Sequence, residues 1–180
     1  MSAPFGLLLI TGNQTHQENY ARAFAADNRC QLIGLTDAPD VPSRRQELNR
    51  DLASELGIPY LDDFEAAISR DDVDFVSICA EPERRLPLSI ACIKAGKHLY
   101  LDKDPAPTVA DALQISAAVE KHRLLAQAFS LVRLPACEQA KQIVESGEIG
   151  DLIGLHCDVT FAKGIPGTAD LNFAREEKPT

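Results

Sequence analysis

Short apolar segments alternate with amphipathic segments along the first 130 residues. Each apolar segment has the length of a strand, and most show no alternation of polar and apolar positions, which is typical of strands buried on both faces of a parallel sheet. The five predicted strands are Phe5–Ile10, Gln31–Thr36, Phe75–Cys79, His98–Leu101 and Leu125–Ala128. A sixth short strand is predicted near Pro59–Leu61.

The segments between these strands carry the signals of helix ends. Ser43 and Thr108 each begin a sequence that resembles a capping box. Gly57, Gly96 and Gly147 follow helical patterns, at the point where a left-handed residue ends many helices. The alternation of strands and helices predicts an α/β fold whose parallel strands are joined by right-handed crossovers.

The pattern changes near residue 130. A predicted helix, Leu134–Ser146, is followed by a longer predicted strand, Ile149–Phe161, and then by Ala162–Thr180, which is rich in Gly, Pro and charge. A single strand of this kind is not a stable unit. We therefore expect one domain over residues 1–129, and the beginning of a second, incomplete domain over 130–180. The open edge at Ile153–Thr160 is predicted to pair with another copy, giving a homo-oligomer.

Charge and cysteine content narrow the class of protein. The formal net charge is −9, and an acidic surface repels phosphate backbones and anionic lipid, so neither nucleic acid nor a membrane is an expected partner. No apolar run approaches the roughly 20 residues that span a bilayer. The five cysteines are scattered without C-x-x-C spacing, so we predict no metal site and reduced thiols in a cytoplasmic protein.

The turn after the first strand is a candidate phosphate-binding site. In dinucleotide-binding folds this turn places backbone N–H groups and a helix N-terminus against the pyrophosphate. The candidate residues are Gly12, Asn13, Gln14, Thr15 and His16. Gln14 and Gln17 stand where the G-x-G-x-x-G fingerprint has glycines. The turn alone is equally well explained as an ordinary strand–helix connection.

The second predicted strand is followed by an acidic residue, Asp37. It lies about 25 residues after Gly12, close to the spacing of roughly 20 at which an acid binds the adenosine ribose. Asp37, with Asp40 nearby, would repel a 2′-phosphate and so favours NAD over NADP. Arg44 and Arg45 are close enough in sequence to bind such a phosphate. A capped loop aspartate is the competing interpretation.

Two further segments follow predicted strands at the edge where open α/β sheets bind ligands. After the third strand, Arg85 is a candidate for orienting a substrate or a cofactor phosphate, or is simply a solvated arginine at a helix start. After the fourth strand, Lys103 lies between Asp102 and Asp104. Its ammonium can donate to a substrate oxygen and assist proton transfer, and the flanking carboxylates favour its charged form. A solvated loop lysine is the alternative.

The order of these segments resembles the Gfo/Idh/MocA family of NAD(P)-dependent oxidoreductases. The match is carried by A-G-K-H-L-Y-L-D-K-D-P-A-P-T, where that family has A-G-K-H-V-x-x-E-K-P, and by Gly12, Asp37, Arg133 and V-E-S-G-E-I-G-D at 144–151. The resemblance covers residues 5 to about 162. It implies a Rossmann-type domain followed by an α/β domain on a large antiparallel sheet.

The resemblance also implies a function and a set of site residues. Members of the family oxidise or reduce sugars, polyols and related small molecules with a nicotinamide cofactor. Lys103 would be the catalytic lysine beside the nicotinamide, with Asp102 replacing the family's glutamate. Residues 12–17 would border the pyrophosphate, and Asp37 the ribose. The loop residues Ala80, Glu81 and Pro82 would line the middle of the cofactor.

The sequence departs from the family at several positions. Asp104 replaces the proline of the E-K-P motif, and Arg85 replaces a histidine common in its loop. The family's second catalytic element, a histidine in a D-x-x-x-H-like segment, is expected beyond residue 180, and His156 has the wrong context for that role. The first hypothesis is therefore an NAD(P)-dependent dehydrogenase, here incomplete. The alternatives are a non-catalytic ligand-binding protein with the same fold and an S-adenosylmethionine-dependent methyltransferase.

Overall fold

One parallel sheet organises the first part of the chain. The computed structural model describes residues 3–12, 16–130 and 134–156. The strands are β1 (Phe5–Thr11), β2 (Cys30–Asp37), β3 (Phe75–Ile78), β4 (His98–Leu101) and β5 (Ala126–Ala128). They form a five-stranded sheet in the order β2-β1-β3-β4-β5, and every neighbouring pair is parallel. The predicted α/β fold with a parallel, Rossmann-type sheet is confirmed.

Helices cover both faces of this sheet. They are α1 (Gln17–Ala25), α2 (Ser43–Glu55), α3 (Phe64–Ile68), α4 (Pro82–Lys94) and α5 (Val109–His122). Alternate residues of β1 enter different cores, because successive side chains of a strand point to opposite faces. Leu7 and Leu9 pack with residues of α1 and α2, whereas Leu8 and Ile10 pack with residues of α3, α4 and α5.

The predicted sixth strand is reduced to a single bridge. Tyr60 pairs in parallel with Leu35 of β2. Leu35 donates its N–H to the Pro59 carbonyl at 3.0 Å, and the Leu61 N–H donates to the Leu35 carbonyl at 2.8 Å. The segment thus covers the β2 edge without extending the sheet by a full strand.

The two predicted capping boxes have different outcomes. Thr108 is the N-cap of α5, and its Oγ1 accepts from the Asp111 N–H at 3.1 Å. Ser43 is already the first helical residue of α2, whose N-cap is Pro42, and its side chain makes no capping hydrogen bond. The prediction at Ser43 was wrong because Pro42 takes the extended conformation (φ −57°, ψ 143°) at the helix entry.

The chain divides into two compact units, Met1–Phe129 and Ser130–Thr180. In the second unit, α6 spans Pro135–Glu145, and Gly147 follows it with φ +74°, as the sequence predicted. The described part of the predicted strand Ile149–Phe161, residues 149–156, contains no strand, and the rest lies outside the described residues. None of the helices within the described ranges is long and apolar enough to cross a membrane.

Candidate active site at the carboxyl edge of the sheet

The carboxyl ends of β1 and β3 define the place where a ligand is expected. These strands are neighbours in the centre of the sheet, and the chain continues from β1 to β2 on one side and from β3 to β4 on the other. Such a change of direction opens a crevice in doubly wound sheets. The structure brings Gly12, Ala80 and Asp102 to this edge. Asn13, Gln14, Thr15 and Arg133 lie outside the described residues.

Gly12 is required by close approach of two backbones. A Cβ atom placed on Gly12 would lie 2.8 Å from the Ala80 Cα and would also collide with the Glu81 carboxylate. The turn after β1 therefore touches the turn after β3 directly. This close packing explains why position 12 requires a glycine, while the contact of Gly12 with a cofactor stays a prediction.

Gln17 replaces the last glycine of the fingerprint with a buried, hydrogen-bonded side chain. Its Nε2 donates to the Ser77 carbonyl at 2.9 Å and to the Ile10 carbonyl at 3.4 Å. In return, the Ser77 hydroxyl donates to Gln17 Oε1 at 2.9 Å. The amide thus ties α1 to β1 and β3 where a glycine would allow closer helix–strand packing. The sequence marked Gln17 as a departure but did not reveal this role.

Asp37, at the end of β2, is the centre of a second network. Its Oδ1 accepts from Asn49 Nδ2 at 2.5 Å and from the Thr11 hydroxyl, and its Oδ2 accepts from the Tyr60 hydroxyl at 2.5 Å. The residue is 8 % exposed. A carboxylate offers about four acceptor positions, so three donors leave room for one ribose hydroxyl. The partners Thr11, Asn49 and Tyr60 were not predicted, since they come together only in the folded chain.

Arg85 is buried and fixes the backbone on both sides of Lys103. Its Nε donates to the Ala80 carbonyl at 2.7 Å, and its Nη1 donates to the Asp102 carbonyl at 3.0 Å and to the Asp104 carbonyl. Nη2 lies 3.1 Å from Asp102 Oδ2. Arg85 is only 3 % exposed, which differs from a solvated arginine at a helix start. A direct contact between Arg85 and the cofactor stays a prediction.

The carboxylate of Asp102, at the end of β4, forms hydrogen bonds with residues of α1 and α4. The Tyr20 hydroxyl donates to Oδ1 at 2.8 Å, and His16 Nδ1 lies 3.0 Å from Oδ2. Burial of Asp102 favours the neutral acid, but the hydrogen bonds from His16 and Tyr20 outweigh it and hold the carboxyl pKa below its usual 3.8. An ionised aspartate is therefore held at the start of α1.

His16 has a raised pKa because of this partner. The hydrogen bond to Asp102 is the largest cause, desolvation opposes it, and the charge of Lys103 also lowers the pKa. Lys103 directly follows Asp102 in the chain. Lys103 and Asp104 are exposed, and the peptide bond between them is cis. The structure thus groups His16, Asp102 and Lys103, a set that the sequence had assigned to two separate motifs.

The loop after β3 completes the described site. Ala80 is fully buried, while Glu81 and Pro82 are half-buried and begin α4 as its N-cap and first residue. The Arg84 guanidinium donates to the Pro39 carbonyl, and so connects this loop to the loop after β2. Gly12, Asp37 and the helix N-terminus at His16 form an edge that fits a dinucleotide. Among the described residues of this turn, Gln17 departs from the glycine fingerprint, while Gln14, the other departure, lies outside the described residues.

Together, the doubly wound sheet and the residues at its carboxyl edge define a nucleotide-binding α/β protein. The family described as an oxidoreductase family with an NAD-binding Rossmann fold matches residues 8–129. The chain belongs to this Gfo/Idh/MocA family, as the sequence predicted.

Individual relatives agree with this assignment. Over 130 residues the chain is 34 % identical to inositol 2-dehydrogenase 1 of Saccharopolyspora erythraea, covering 70 % of this chain and 37 % of that protein. It is 29 % identical over 136 residues to dTDP-3,4-didehydro-2,6-dideoxy-alpha-D-glucose 3-reductase of Streptomyces violaceoruber, covering 75 % of this chain and 39 % of that protein. The chain thus spans about two fifths of the length of these relatives.

A solved structure shows the same fold. The crystal structure of an NAD binding oxidoreductase from Klebsiella pneumoniae matches with a TM-score of 0.70 and 25 % sequence identity. The match covers 82 % of this chain and 40 % of that one.

Proposed function

We propose that this chain carries the cofactor-binding and lysine-bearing part of an NAD(P)-dependent dehydrogenase acting on a sugar, a polyol or a related hydroxy compound. The single observation that carries the proposal is the position of Lys103, exposed at the carboxyl edge of the sheet beside the buried Asp102. Relatives named as an inositol dehydrogenase and a reductase of a dideoxy sugar nucleotide support the substrate class.

The proposed roles follow from the placement of the residues. Gly12 and the N-terminus of α1 would bind the pyrophosphate, Asp37 the adenosine ribose, and Ala80, Glu81 and Pro82 the middle of the cofactor. The nicotinamide supplies a hydride acceptor when it is bound. Lys103 would donate a hydrogen bond to the substrate oxygen, and Arg85 would hold the main chain on both sides of that lysine.

The charge near the ribose favours NAD over NADP in this proposal. The Asp37 carboxylate would repel a 2′-phosphate. Arg45, a candidate phosphate ligand, instead pairs with Glu18 at 3.2 Å and is largely buried. We expect NADH to bind more tightly than NADPH, and a fluorescence titration with both dinucleotides measures this difference.

Substitution of Lys103 tests the division between binding and catalysis. Because Lys103 would contact the substrate rather than the adenosine half, Lys103→Ala should lower turnover by about 10²-fold to 10⁴-fold and change NADH affinity little. Lys121→Ala, which removes another exposed lysine at the end of α5, is the matched control. Assays of the complete natural protein with a panel of sugars and polyols provide the measurement. Equal turnover by both variants would contradict the role of Lys103.

A non-catalytic relative with the same fold is the second candidate, and Gln17 is the observation that favours it. The buried Gln17 side chain stands in the place of the last fingerprint glycine, and its amide donates hydrogen bonds to the carbonyl groups of Ser77 and Ile10. A protein of this kind would bind the dinucleotide or another ligand without turnover. The substrate panel separates the two candidates, because binding without turnover supports only the second.

The proposal extends to the whole protein. Residues 1–129 would bind the cofactor, and residues 130–180 would begin a domain that binds substrate and forms a homo-oligomer. The exposed side chains of Ile149, Leu152, Ile153 and Leu155 support burial of this segment against further protein. Cys30, Cys92 and Cys137 form no disulfide among the described residues, and we propose the reducing cytoplasm as the location of the protein.

A further inference from the structure

The guanidinium of Arg85 lies between the loops that follow β3 and β4. We propose that Arg85 is the positioning residue of this site, which holds Lys103 at a fixed place against the loop after β3 and does so without contact to cofactor or substrate. The inference rests on the proposed dehydrogenase function and deepens it. It assigns to a buried arginine of α4 the role of setting where the substrate-binding lysine lies.

One nitrogen of Arg85 binds the main chain on both sides of Lys103. Nη1 donates to the Asp102 carbonyl at 3.0 Å and also to the Asp104 carbonyl. Segment 102–108 forms neither helix nor strand, so no regular hydrogen-bond pattern fixes this loop. The two bonds therefore limit where the backbone of Lys103 can lie, while Lys103 itself is exposed.

The other nitrogens of the guanidinium connect this loop to two further elements. Nε donates to the Ala80 carbonyl at 2.7 Å, in the loop after β3. Nη2 donates to Asp102 Oδ2 at 3.1 Å, and the same carboxylate accepts from the Tyr20 hydroxyl of α1 at 2.8 Å. Arg85 thus holds the ends of β3 and β4 together and, through Asp102, links them to α1.

The number of donors explains why this position needs an arginine. A guanidinium has five N–H donors in one plane, whereas a lysine ammonium has three on a single atom. Four of the five donors of Arg85 have acceptors within the chain, and the residue is only 3 % exposed. Little of the guanidinium is left for a phosphate or a substrate oxygen, so we infer that Arg85 acts through Lys103.

Burial keeps the guanidinium in this place. A buried charge is costly unless it is paired and hydrogen-bonded, and Asp102, which is 2 % exposed, supplies the opposite charge. Movement of Arg85 would separate this ion pair and remove the donor from three carbonyl groups. The loop is therefore held at one distance from β3. This matters for turnover because a misplacement of about 1 Å can lower a rate by about 10²-fold.

The first test measures the loop without cofactor or turnover. Arg85→Lys keeps a positive charge beside Asp102 but cannot supply all four hydrogen bonds. The Asp102 N–H donates to the Ile78 carbonyl, and its hydrogen exchange, followed by NMR, should become at least about threefold faster in this variant. Arg70→Lys, at an exposed arginine that pairs with Asp72 before β3, is the matched control. Equal exchange at Asp102 in wild type and Arg85→Lys would overturn the inference.

The second test compares turnover with dinucleotide binding in the complete natural protein. Arg85→Lys should lower kcat by about 10-fold to 10²-fold, while the Kd of NADH stays within about threefold and the KM for the sugar or polyol changes less than kcat. Arg70→Lys should match wild type in all three quantities. A loss of NADH affinity with an unchanged kcat would identify Arg85 as a cofactor ligand and overturn the positioning role.

Chemical rescue separates positioning from general structural support. Arg85→Ala leaves a space that a guanidinium ion fits, so guanidinium chloride at millimolar concentration should raise kcat of this variant by about fivefold or more. Methylammonium chloride carries the charge without the planar donors and should raise it less. No advantage of guanidinium over methylammonium would overturn the assignment. If Arg85→Ala does not fold, the two tests with Arg85→Lys decide alone.

The outcomes separate this inference from the function on which it rests. A wild-type kcat in Arg85→Lys, with wild-type NADH binding, overturns the positioning role and leaves the dehydrogenase intact. No turnover by wild-type protein with any sugar or polyol overturns the dehydrogenase, and the positioning role with it. A selective loss of kcat in Arg85→Lys, together with faster exchange at Asp102, supports both.

Discussion

At the scale of single residues, two positions determine how α1 and its preceding turn meet the sheet. Gly12 lies against Ala80 so closely that a methyl group has no space. Gln17 fills the gap under α1 with an amide that satisfies carbonyl groups of β1 and β3. Gly12 is required because a larger side chain would not fit, whereas Gln17 contributes through the hydrogen bonds of its amide. In both cases the partner is a distant part of the chain, Ala80 for Gly12 and Ser77 for Gln17.

Gly12→Ala should therefore destabilise the protein and weaken dinucleotide binding. The added Cβ would lie 2.8 Å from the Ala80 Cα, and relief of such overpacking typically costs about 1–3 kcal/mol. Gly154→Ala is the matched control, because no atom lies within 4 Å of a Cβ at that position. Urea unfolding and an NADH titration measure the two effects. Equal stability of the two variants would show that the turns can separate without cost.

At the scale of secondary-structure elements, the strands were predictable and the helix ends were less so. The parallel strands were recognised because continuous apolar runs such as Leu7–Ile10 are buried on both faces, a requirement that is visible in the sequence. Thr108 and Ser43 both precede helical patterns, yet only Thr108 caps its helix. The difference depends on Pro42, which takes the N-cap position in an extended conformation and leaves Ser43 as the first helical residue.

Removal of the hydroxyl group at Thr108 and at Ser43 should lower the free energy of unfolding by different amounts. Thr108→Ala removes the acceptor of the Asp111 N–H and should lower the free energy of unfolding by about 1 kcal/mol. Ser43→Ala, at an exposed residue that makes no capping hydrogen bond, should change it by less than about 0.5 kcal/mol. Thermal or urea unfolding of both variants tests the assignment, and losses of the same size would contradict it.

At the scale of the whole molecule, the charges at the carboxyl edge tie the stability of the fold to pH. His16 and Asp102 connect the start of α1 to the end of β4, so they join elements that are not neighbours in the chain. The pKa of Asp102 is held below 3.8, so its carboxylate is ionised throughout the range in which His16 titrates. The attraction between His16 and the Asp102 carboxylate is therefore strongest when His16 is protonated.

The stability contributed by His16 should therefore decline as the pH rises. Its pKa in the folded chain is raised above 6.5, so the stabilisation is fully present below the unfolded value and is lost as the pH passes through the folded one. The difference in free energy of unfolding between wild type and His16→Gln should be larger at about pH 5.5 than at about pH 9. Urea unfolding at both pH values measures it. A difference that grows with pH would contradict the assigned direction of the shift.

The sequence by itself determined the parallel α/β fold, the family and the segments that meet at one edge of the sheet. These features follow from local hydrophobic patterns and from short sequence motifs, which can be recognised without knowledge of tertiary contacts. The tertiary structure alone decided that Asp37 has three internal partners, that Arg85 is buried behind Lys103, and that His16 faces Asp102. Such contacts join residues as many as 86 positions apart, and their energies depend on burial and distance, which exist only once the chain has folded.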